Sequence, residues 1–558
     1  MLSATMHGIQ GRAGSPAAAT AVIACCNSCK MDDPSVANAD TEGWPLTGRM
    51  LRHMMYKTLR DCVNRGALVF VAAALGVAGC QAWPESYPAG IDRIVVREKV
   101  RDARAQRVDG RPGLRVDSAA VSYLDAAIAA EDLDTARRDA LAFVQQASDL
   151  AQRTAMNEIM RLDEDAVVRV QRRYFPDQQG LTREELIDAY AAQSQTSAAE
   201  VRRQVEEAAG LDELRRSLAD VRDGIEDPVK YRGKSGRILM WLPFYLPSKM
   251  AAEQVQKNGP GCPVFLGGFE RADVYQSSDE SPSALARYAP VFVVERRADV
   301  NYDPRVDQIG EVSAEDSDHI VVGTDRPVVY AYSRHVLVSG QEHEQLVYTA
   351  WFPEHPEISE HDPMAGHIDG ITVRLTLDHQ SRPAIIETIA NCGCFHGLYP
   401  TRRLEEAAAA EFGPPAGDAS YALEREAGRQ LNAHIPALLD VDGADSGPTV
   451  YVAAGWHSIV HVTFAGDESE DASTVRYTLR PYTDLELLPT PGGGYTSMFY
   501  DNGLVRHAQR PEGVFFTPLG MLSAGQPRQR ETQLIYWDQY DFDDPGLLSR
   551  LLNLPSSF

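Results

Sequence analysis

The sequence predicts an α+β protein in which N-terminal amphipathic helices precede a β-rich, mostly antiparallel domain with a few helices of its own. Three observations support this fold class. Good helix formers dominate from about residue 117 to residue 223. Proline, glycine and aromatic residues become more frequent after Asp227-Pro228. Short runs rich in Val, Ile, Thr and Tyr, bounded by turn residues, then recur through the rest of the chain.

The helical region, residues 116–227, is expected to form a small bundle or a cap on the β-rich domain. The segments Thr182–Glu185 and Ser197–Glu200 have the capping-box pattern that marks the start of a helix. Apolar residues over 201–221 recur every three or four positions and therefore share one helix face. Gly210 interrupts this pattern and predicts a break or bend. A coiled coil that binds an envelope partner is the alternative.

Composition limits the possible partners of the chain. With 558 residues and 44% hydrophobic residues, the chain is long enough for two or more domains with apolar cores. Its formal net charge of −25 argues against binding to nucleic acid, because phosphate contacts need a basic surface. The same charge argues against broad electrostatic attachment to anionic lipid.

Residues 54–79 have the three-part pattern of an export signal. Basic residues come first, an uncharged apolar run over 67–78 follows, and small residues close the segment. The apolar run is too short for a helix that spans a membrane, which needs about 20 residues. The segment ends in Val77-Ala78-Gly79-Cys80, which resembles the lipobox of bacterial lipoprotein precursors. This resemblance covers only the segment that ends at Cys80, and the residues after it carry no motif that is typical of a known family.

The resemblance to lipoproteins implies where in the cell the protein is located. The thiol of Cys80 would carry a diacylglycerol after cleavage, and the acyl chains would hold the protein to a lipid bilayer. The protein would then be membrane-anchored and extracytoplasmic. In the resembled class, an Asp after the lipidated cysteine retains the protein at the inner membrane. Gln81 stands there instead, which favours the outer membrane or its periplasmic face if the source is Gram-negative.

The position of the export signal also suggests how the rest of the chain is divided. Residues 1–53 lack a steady apolar period and are expected to be a disordered upstream extension. Residues 80–115, rich in Pro, Gly and charge, are expected to be a tether, with an ordered strand near Ile94 as the alternative. The β-rich domain is expected to occupy residues 228–558.

The strongest candidate for chemistry is the cluster Cys392, Cys394 and His396. If this segment is extended, the three side chains point to one face, and their donor types suit zinc or copper. Other outcomes remain open for the thiols. Cys262 could form a disulfide with Cys392 or Cys394, the thiols could be buried and inert, or they could exchange disulfides with a substrate.

Two further groups of histidines are weaker candidates. His457 and His461 are expected on one strand, where about 13 Å separates residues four apart, so they cannot share a zinc ion. A loop expected over residues 352–370 carries His355, His361, His367 and Asp369. We expect these to be solvated loop residues, with a cation site at His367 and Asp369 as the alternative.

These patterns predict a function class but no reaction. The first expectation is a membrane-anchored cell-envelope lipoprotein with a binding or structural role. The alternative is an extracytoplasmic metal-binding protein or metalloenzyme that uses Cys392, Cys394 and His396. A second alternative is a thiol–disulfide redox protein.

Overall fold

The computed structural model describes residues 100–558, except 101, 103, 109–110, 112–113, 175–179, 226–268, 359–361, 363, 418, 427–434, 442–445, 465–471, 517–525, 533 and 536–539. The described residues belong to one compact unit of the chain. The export signal, Cys80, the upstream extension, most of the proposed tether, His361 and Cys262 lie outside the described residues. What was inferred for them stays a prediction.

Helices and strands segregate along the chain as the α+β class requires. The helices are α1 (Ser118–Ala129), α2 (Leu133–Met160), α3 (Glu164–Tyr174), α4 (Arg183–Glu207), α5 (Leu211–Asp223), α6 (Ala284–Arg287), α7 (Arg402–Phe412), α8 (Pro511–Phe516) and α9 (Leu547–Leu551). Short 3-10 helices occupy Pro304–Asp307, Tyr482–Glu486 and Arg530–Thr532. Within the described residues, no helix combines the length and apolar character that crossing a membrane requires.

The strands form one large sheet and several two-stranded ribbons. They are β1 (Gln106–Arg107), β2 (Arg115–Val116), β3 (Ala272–Ser277), β4 (Val291–Glu295), β5 (Glu311–Ala314), β6 (Ile320–Gly323), β7 (Val328–Val338), β8 (Gln341–His355), β9 (Gly366–Leu377), β10 (Pro383–Ala390), β11 (Gly397–Pro400), β12 (Thr449–Val452), β13 (Ile459–Thr463), β14 (Ala472–Pro481), β15 (Leu488–Pro489), β16 (Tyr495–Thr496), β17 (Leu534–Ile535) and β18 (Tyr540–Asp541). The large sheet has ten strands in the order β11-β10-β9-β8-β7-β14-β3-β4-β12-β13.

The sheet is mixed, although most of its neighbouring strands are antiparallel. β14 runs parallel to both β7 and β3, and β12 runs parallel to β4. The other neighbouring pairs in the large sheet are antiparallel. The α+β class with a large, mostly antiparallel sheet is therefore confirmed in this coarse form.

The centre of the sheet is buried on both faces. Along β8, Leu346 and Tyr348 pack into one apolar cluster, whereas Trp351 packs into a second cluster with Tyr330 of β7. This double burial explains the largely apolar run over residues 346–352 of β8, since a strand covered on both sides need not alternate with polar residues.

The first helices share an apolar core with the β1–β2 ribbon. This core contains Phe143 of α2, Val201 of α4 and Leu214 of α5, all completely or almost completely buried. The capping box at Thr182–Glu185 is confirmed at the start of α4, and Gly210 separates α4 from α5 as predicted.

The predicted helix start at Ser197–Glu200 is wrong, because both residues lie inside α4. Hydroxyl groups in this stretch bond back to the preceding turn of the helix instead of capping a new one. Ser194 donates to the carbonyl oxygen of Tyr190, and Thr196 donates to that of Ala192.

The predicted loop over residues 352–370 is also wrong at both ends. β8 continues to His355, and β9 begins at Gly366, so His355, His367 and Asp369 lie on strands. Pro353 suggested a loop, but the pairing of β8 with β7 ends at Ala350. A proline is tolerated beyond that point because one side of the strand has no ladder to join.

Candidate metal centre

Two histidines and one aspartate from separate parts of the sheet meet in the interior. His355 ends β8, Asp369 lies near the start of the neighbouring β9, and His457 lies in the loop between β12 and β13. Their side chains are almost fully buried, with exposed fractions of 1%, 6% and 1%. A buried charge of this kind needs partners, since desolvation penalises it strongly.

The three side chains converge on one carboxylate oxygen. Nδ1 of His355 lies 3.1 Å from Oδ2 of Asp369, and Nδ1 of His457 lies 3.0 Å from the same oxygen. One ligand atom from each of the three residues lies within 4.8 Å of the other two. Within the part of the chain that the structure describes, no other three His, Cys, Asp or Glu side chains converge in this way.

A second carboxylate, that of Asp307, orients the His457 ring through the nitrogen that faces away from Asp369. Nε2 of His457 lies 3.2 Å from Oδ1 of Asp307, at the end of the 3-10 helix Pro304–Asp307. Asp307 is itself held, because it accepts hydrogen bonds from the backbone N–H of Gly455 and from the hydroxyl of Tyr302. Carboxylates that orient histidines in this way are typical of metal sites.

The ring of His457 is also held by packing and by an unusual backbone. The ring stacks on Phe352 with 4.0 Å between ring centres and an angle of 7° between the planes. His457 has a φ of +45°, and Gly455 in the same loop has a φ of +74°. Non-glycine residues rarely adopt positive φ, and such strain often accompanies functional sites.

Arg510 balances the charge of Asp369 from the opposite oxygen. Its guanidinium donates to Oδ1 of Asp369 at 2.9 Å and to the carbonyl oxygen of Met364 at 2.7 Å. The backbone N–H of Gly370 donates to the same Oδ1. Burial alone would raise the pKa of Asp369, but Arg510 and the two imidazoles hold it well below its usual value.

The two histidines differ in their readiness to carry a proton. Burial lowers the pKa of His355 and outweighs the hydrogen bond to Asp369. Burial also opposes protonation of His457, but Asp307 and Asp369 flank its ring and raise its pKa. Nε2 of His355 is buried and has no hydrogen-bond partner among the described residues.

A further buried acid, Glu512, lies two residues after Arg510 in the chain. Burial raises the pKa of Glu512 to about 7. The positive charge of Arg510 opposes this increase, whereas the negative charges of Asp362 and Asp369 add to it. Oε1 of Glu512 is buried and has no hydrogen-bond partner among the described residues. The surroundings of Arg510 therefore contain a group that can accept a hydrogen bond from water or a ligand.

The predicted cluster of Cys392, Cys394 and His396 has a different arrangement. The segment turns after β10, with Gly393 at φ +92° and Phe395 at φ +57°, so alternate side chains do not share the face of an extended strand. The ligand atoms of the three residues do not form a converging group. The condition of an extended segment, on which the shared face depended, is therefore not met at this turn.

The structure places the members of that cluster in separate environments. Cys392 is buried, Cys394 is half-buried, and the two are not bridged to each other. Nε2 of His396 lies 3.1 Å from Glu387, whose carboxylate also pairs with Arg374. A disulfide to Cys262 stays a prediction, because Cys262 lies outside the described residues.

The sequence pointed to His355, Asp369 and His457 singly but not to their combination. His461 lies on β13 as expected, whereas His457 lies in the preceding loop. His367, the expected partner of Asp369, is exposed. Gly455, two residues before His457, was a usable signal. A glycine there indicates a turn, although the neighbouring β-branched residues favoured a strand.

Comparison with protein-family models, curated proteins and solved structures found no match. The function proposed below therefore rests on the residues of this chain and on their arrangement.

Proposed function

We propose that this protein is a lipid-anchored, extracytoplasmic protein that binds one divalent transition-metal ion through His355, Asp369 and His457. The observation that carries the proposal is the convergence of two imidazole nitrogens on one carboxylate oxygen in the interior. Imidazole and carboxylate together suit zinc, copper, iron and related ions. This replaces Cys392, Cys394 and His396 as the preferred ligand set.

The local charge supports a cation. Asp369 and Asp307 bring two carboxylates to His457, whereas Arg510 is the cation that contacts Asp369 directly. A divalent ion would supply positive charge where Oδ2 of Asp369 now meets two ring nitrogens. When no metal is bound, a proton on His457 between the two carboxylates serves the same purpose, in keeping with its raised pKa.

The anchoring half of the proposal rests on the lipobox-like segment that ends at Cys80. Acyl chains on that sulfur would place the domain at the surface of a membrane outside the cytoplasm. We propose further that the helices α1, α2, α4 and α5 form a cap on the sheet. Contacts from α1 to β7 and β8 support this arrangement, including Ser118 with Arg334 and the hydroxyl of Tyr123 with Glu342.

A second candidate function, proton transfer by His355, is favoured by one specific observation. Asp369 orients Nδ1 of His355, which leaves the buried Nε2 without a partner among the described residues. A histidine oriented by a carboxylate in this way can act as a general base. This function requires no metal, so metal analysis separates the two candidates.

The first experiment measures metal content and affinity in the full-length protein. Purified protein is stripped with a chelator and titrated with Zn²⁺ or Co²⁺ against a chromophoric competitor. We expect one equivalent to bind, and we expect His355→Gln to abolish tight binding. Glutamine keeps an amide N–H that can donate to Asp369, so the variant should fold.

The matched control for this experiment is His335→Ala. His335 is exposed on β7, and its loss should leave the bound metal unchanged. Near-ultraviolet circular dichroism verifies the fold of each variant. Binding that survives in His355→Gln, or a chain that binds no metal, would refute the proposed metal function and leave proton transfer as the remaining candidate.

A further inference from the structure

We infer that the metal centre is an open six-coordinate site, in which His355, Asp369 and His457 fill one triangular face of an octahedron. The opposite face would carry water, which a small oxygen-donor ligand could replace. This inference rests on the proposed function and specifies the kind of ion and ligand that the same site takes.

The spacing of the ligand atoms favours octahedral over tetrahedral coordination. Adjacent ligands of an octahedral ion lie about 1.4 bond lengths apart, which is about 3.0 Å for bonds of about 2.1 Å. Adjacent ligands of a tetrahedral zinc ion lie about 1.6 bond lengths apart, which is about 3.4 Å. In the structure, Oδ2 of Asp369 lies 3.1 Å from Nδ1 of His355 and 3.0 Å from Nδ1 of His457. Both distances fit the octahedral edge, and the same spacing lets a proton bridge the atoms when no metal is bound.

Asp369 and His457 each have only one atom left for a metal ion. Oδ1 of Asp369 is engaged by Arg510 and by the N–H of Gly370, so Oδ2 is the oxygen left for a metal. Nε2 of His457 faces Asp307, which leaves its Nδ1. Among the described residues no fourth His, Cys, Asp or Glu joins the group. The centre therefore needs ligands from outside this set.

Two buried polar atoms in this region, Oε1 of Glu512 and Nε2 of His355, have no hydrogen-bond partner among the described residues. Buried polar atoms in native proteins are nearly always satisfied by protein or by ordered water. The carboxyl of Glu512 interacts electrostatically with Arg510 and Asp369. Water at a metal ion in this region would have an acceptor within the protein.

The ligand set indicates which ions the site prefers. Two histidines and one carboxylate on one face, with open positions opposite, are typical of non-haem ferrous sites. Closed structural zinc sites instead surround the ion with four protein ligands. We therefore expect Fe²⁺, Mn²⁺ and Co²⁺ to bind with water in their coordination shell.

Two measurements on the full-length protein test the inference. The Co²⁺-loaded protein should absorb weakly in the visible region, as five- and six-coordinate Co²⁺ does. The Mn²⁺-loaded protein should enhance the relaxation of water protons, because exchangeable water is bound to the ion. With unbound metal removed, both signals should be lost in His355→Gln and retained in His335→Ala.

The possible outcomes separate this inference from the proposed function. An intense visible band, as from four-coordinate Co²⁺, or Mn²⁺ that binds without enhancing water relaxation, would overturn the open six-coordinate site and leave the metal function standing. Absence of any stoichiometric metal would overturn both. Weak absorption together with enhanced relaxation in the wild type and in His335→Ala, but not in His355→Gln, would support both.

Discussion

At the scale of single residues, Asp369 organises the centre because each of its oxygens serves a different purpose. Oδ1 is neutralised by Arg510, and Oδ2 brings the rings of His355 and His457 together. Arg510 therefore stabilises the buried carboxylate without blocking the oxygen that faces the histidines. The proposed metal can enter without breaking the ion pair between Asp369 and Arg510.

Asp307 should be a positioning residue for the metal, and Asp307→Asn tests this. The amide oxygen can still accept from Nε2 of His457, but the negative charge that makes the imidazole a better donor is lost. We expect metal affinity to fall by about 10–100-fold, as is usual when such outer partners are changed. Competition titration with Co²⁺ measures this change.

The control for Asp307→Asn is the shape of the Co²⁺ spectrum. A positioning role predicts weaker binding with unchanged coordination, so the band shape of the saturated protein should match that of the wild type. An affinity equal to that of the wild type would show that Asp307 serves the fold alone.

At the scale of elements, local signals predicted most helices and strands, but the ends of strands depended on their neighbours. The cap at Thr182 and the break at Gly210 need only a few consecutive residues, so the sequence revealed them. The extension of β8 to His355 depends on β9, and the turn at His457 depends on Asp307 and Phe352. Those contacts cross long stretches of chain, and a local pattern cannot reveal them.

The start of β9 should be intolerant of any side chain at Gly370. A Cβ there would lie 2.6 Å from the ring of Trp351 and 2.9 Å from the carbonyl oxygen of Ala350, and it would also overlap the amide of Asn391. We expect Gly370→Ala to destabilise the protein by about 1–3 kcal/mol, the usual cost of overpacking. Urea denaturation measures the change.

The matched control for this packing prediction is Gly323→Ala. Gly323 ends β6, and the nearest atom to a Cβ at that position is 4.0 Å away. Its free energy of unfolding should stay within about 0.5 kcal/mol of the wild type, as for surface substitutions away from special features. Equal effects at the two glycines would contradict the packing argument.

At the scale of the whole molecule, the arrangement of the sheet is what the sequence could not supply. β14 inserts between β7 and β3, although β3 begins near residue 272 and β14 near residue 472. Composition and periodicity indicate strands but not their partners, because pairing at such separation leaves no local trace. The candidate metal centre depends on this topology, since the residues proposed as its ligands come from β8, β9 and the loop after β12.

The helices and the sheet also meet through buried charge. Arg161, which follows α2, lies 3.5 Å from Glu486 in the 3-10 helix after β14. Glu486 accepts a hydrogen bond from Ser497, while its Oε1 is buried and has no partner among the described residues. Burial raises the pKa of Glu486 to about 7, and the nearby negative charge of Asp102 acts in the same direction. This contact should make stability depend on pH.

The sign of that dependence follows from the raised pKa. The protonated form of Glu486 is favoured in the folded state, so its contribution is fully present below about pH 4.5 and is lost as the pH rises through about 7. Each pKa unit corresponds to about 1.4 kcal/mol, so ionisation of Glu486 lowers the free energy of unfolding by at most about 3 kcal/mol at pH 8.

Glu486→Gln removes the charge and should therefore stabilise the protein at pH 8 but change little at pH 4.5. Glu280→Gln, at an exposed position, should leave the profile unchanged. Urea denaturation across this range measures both variants, and a Glu486→Gln protein that loses stability at pH 8 would mean that the ionised carboxylate stabilises the contact with Arg161.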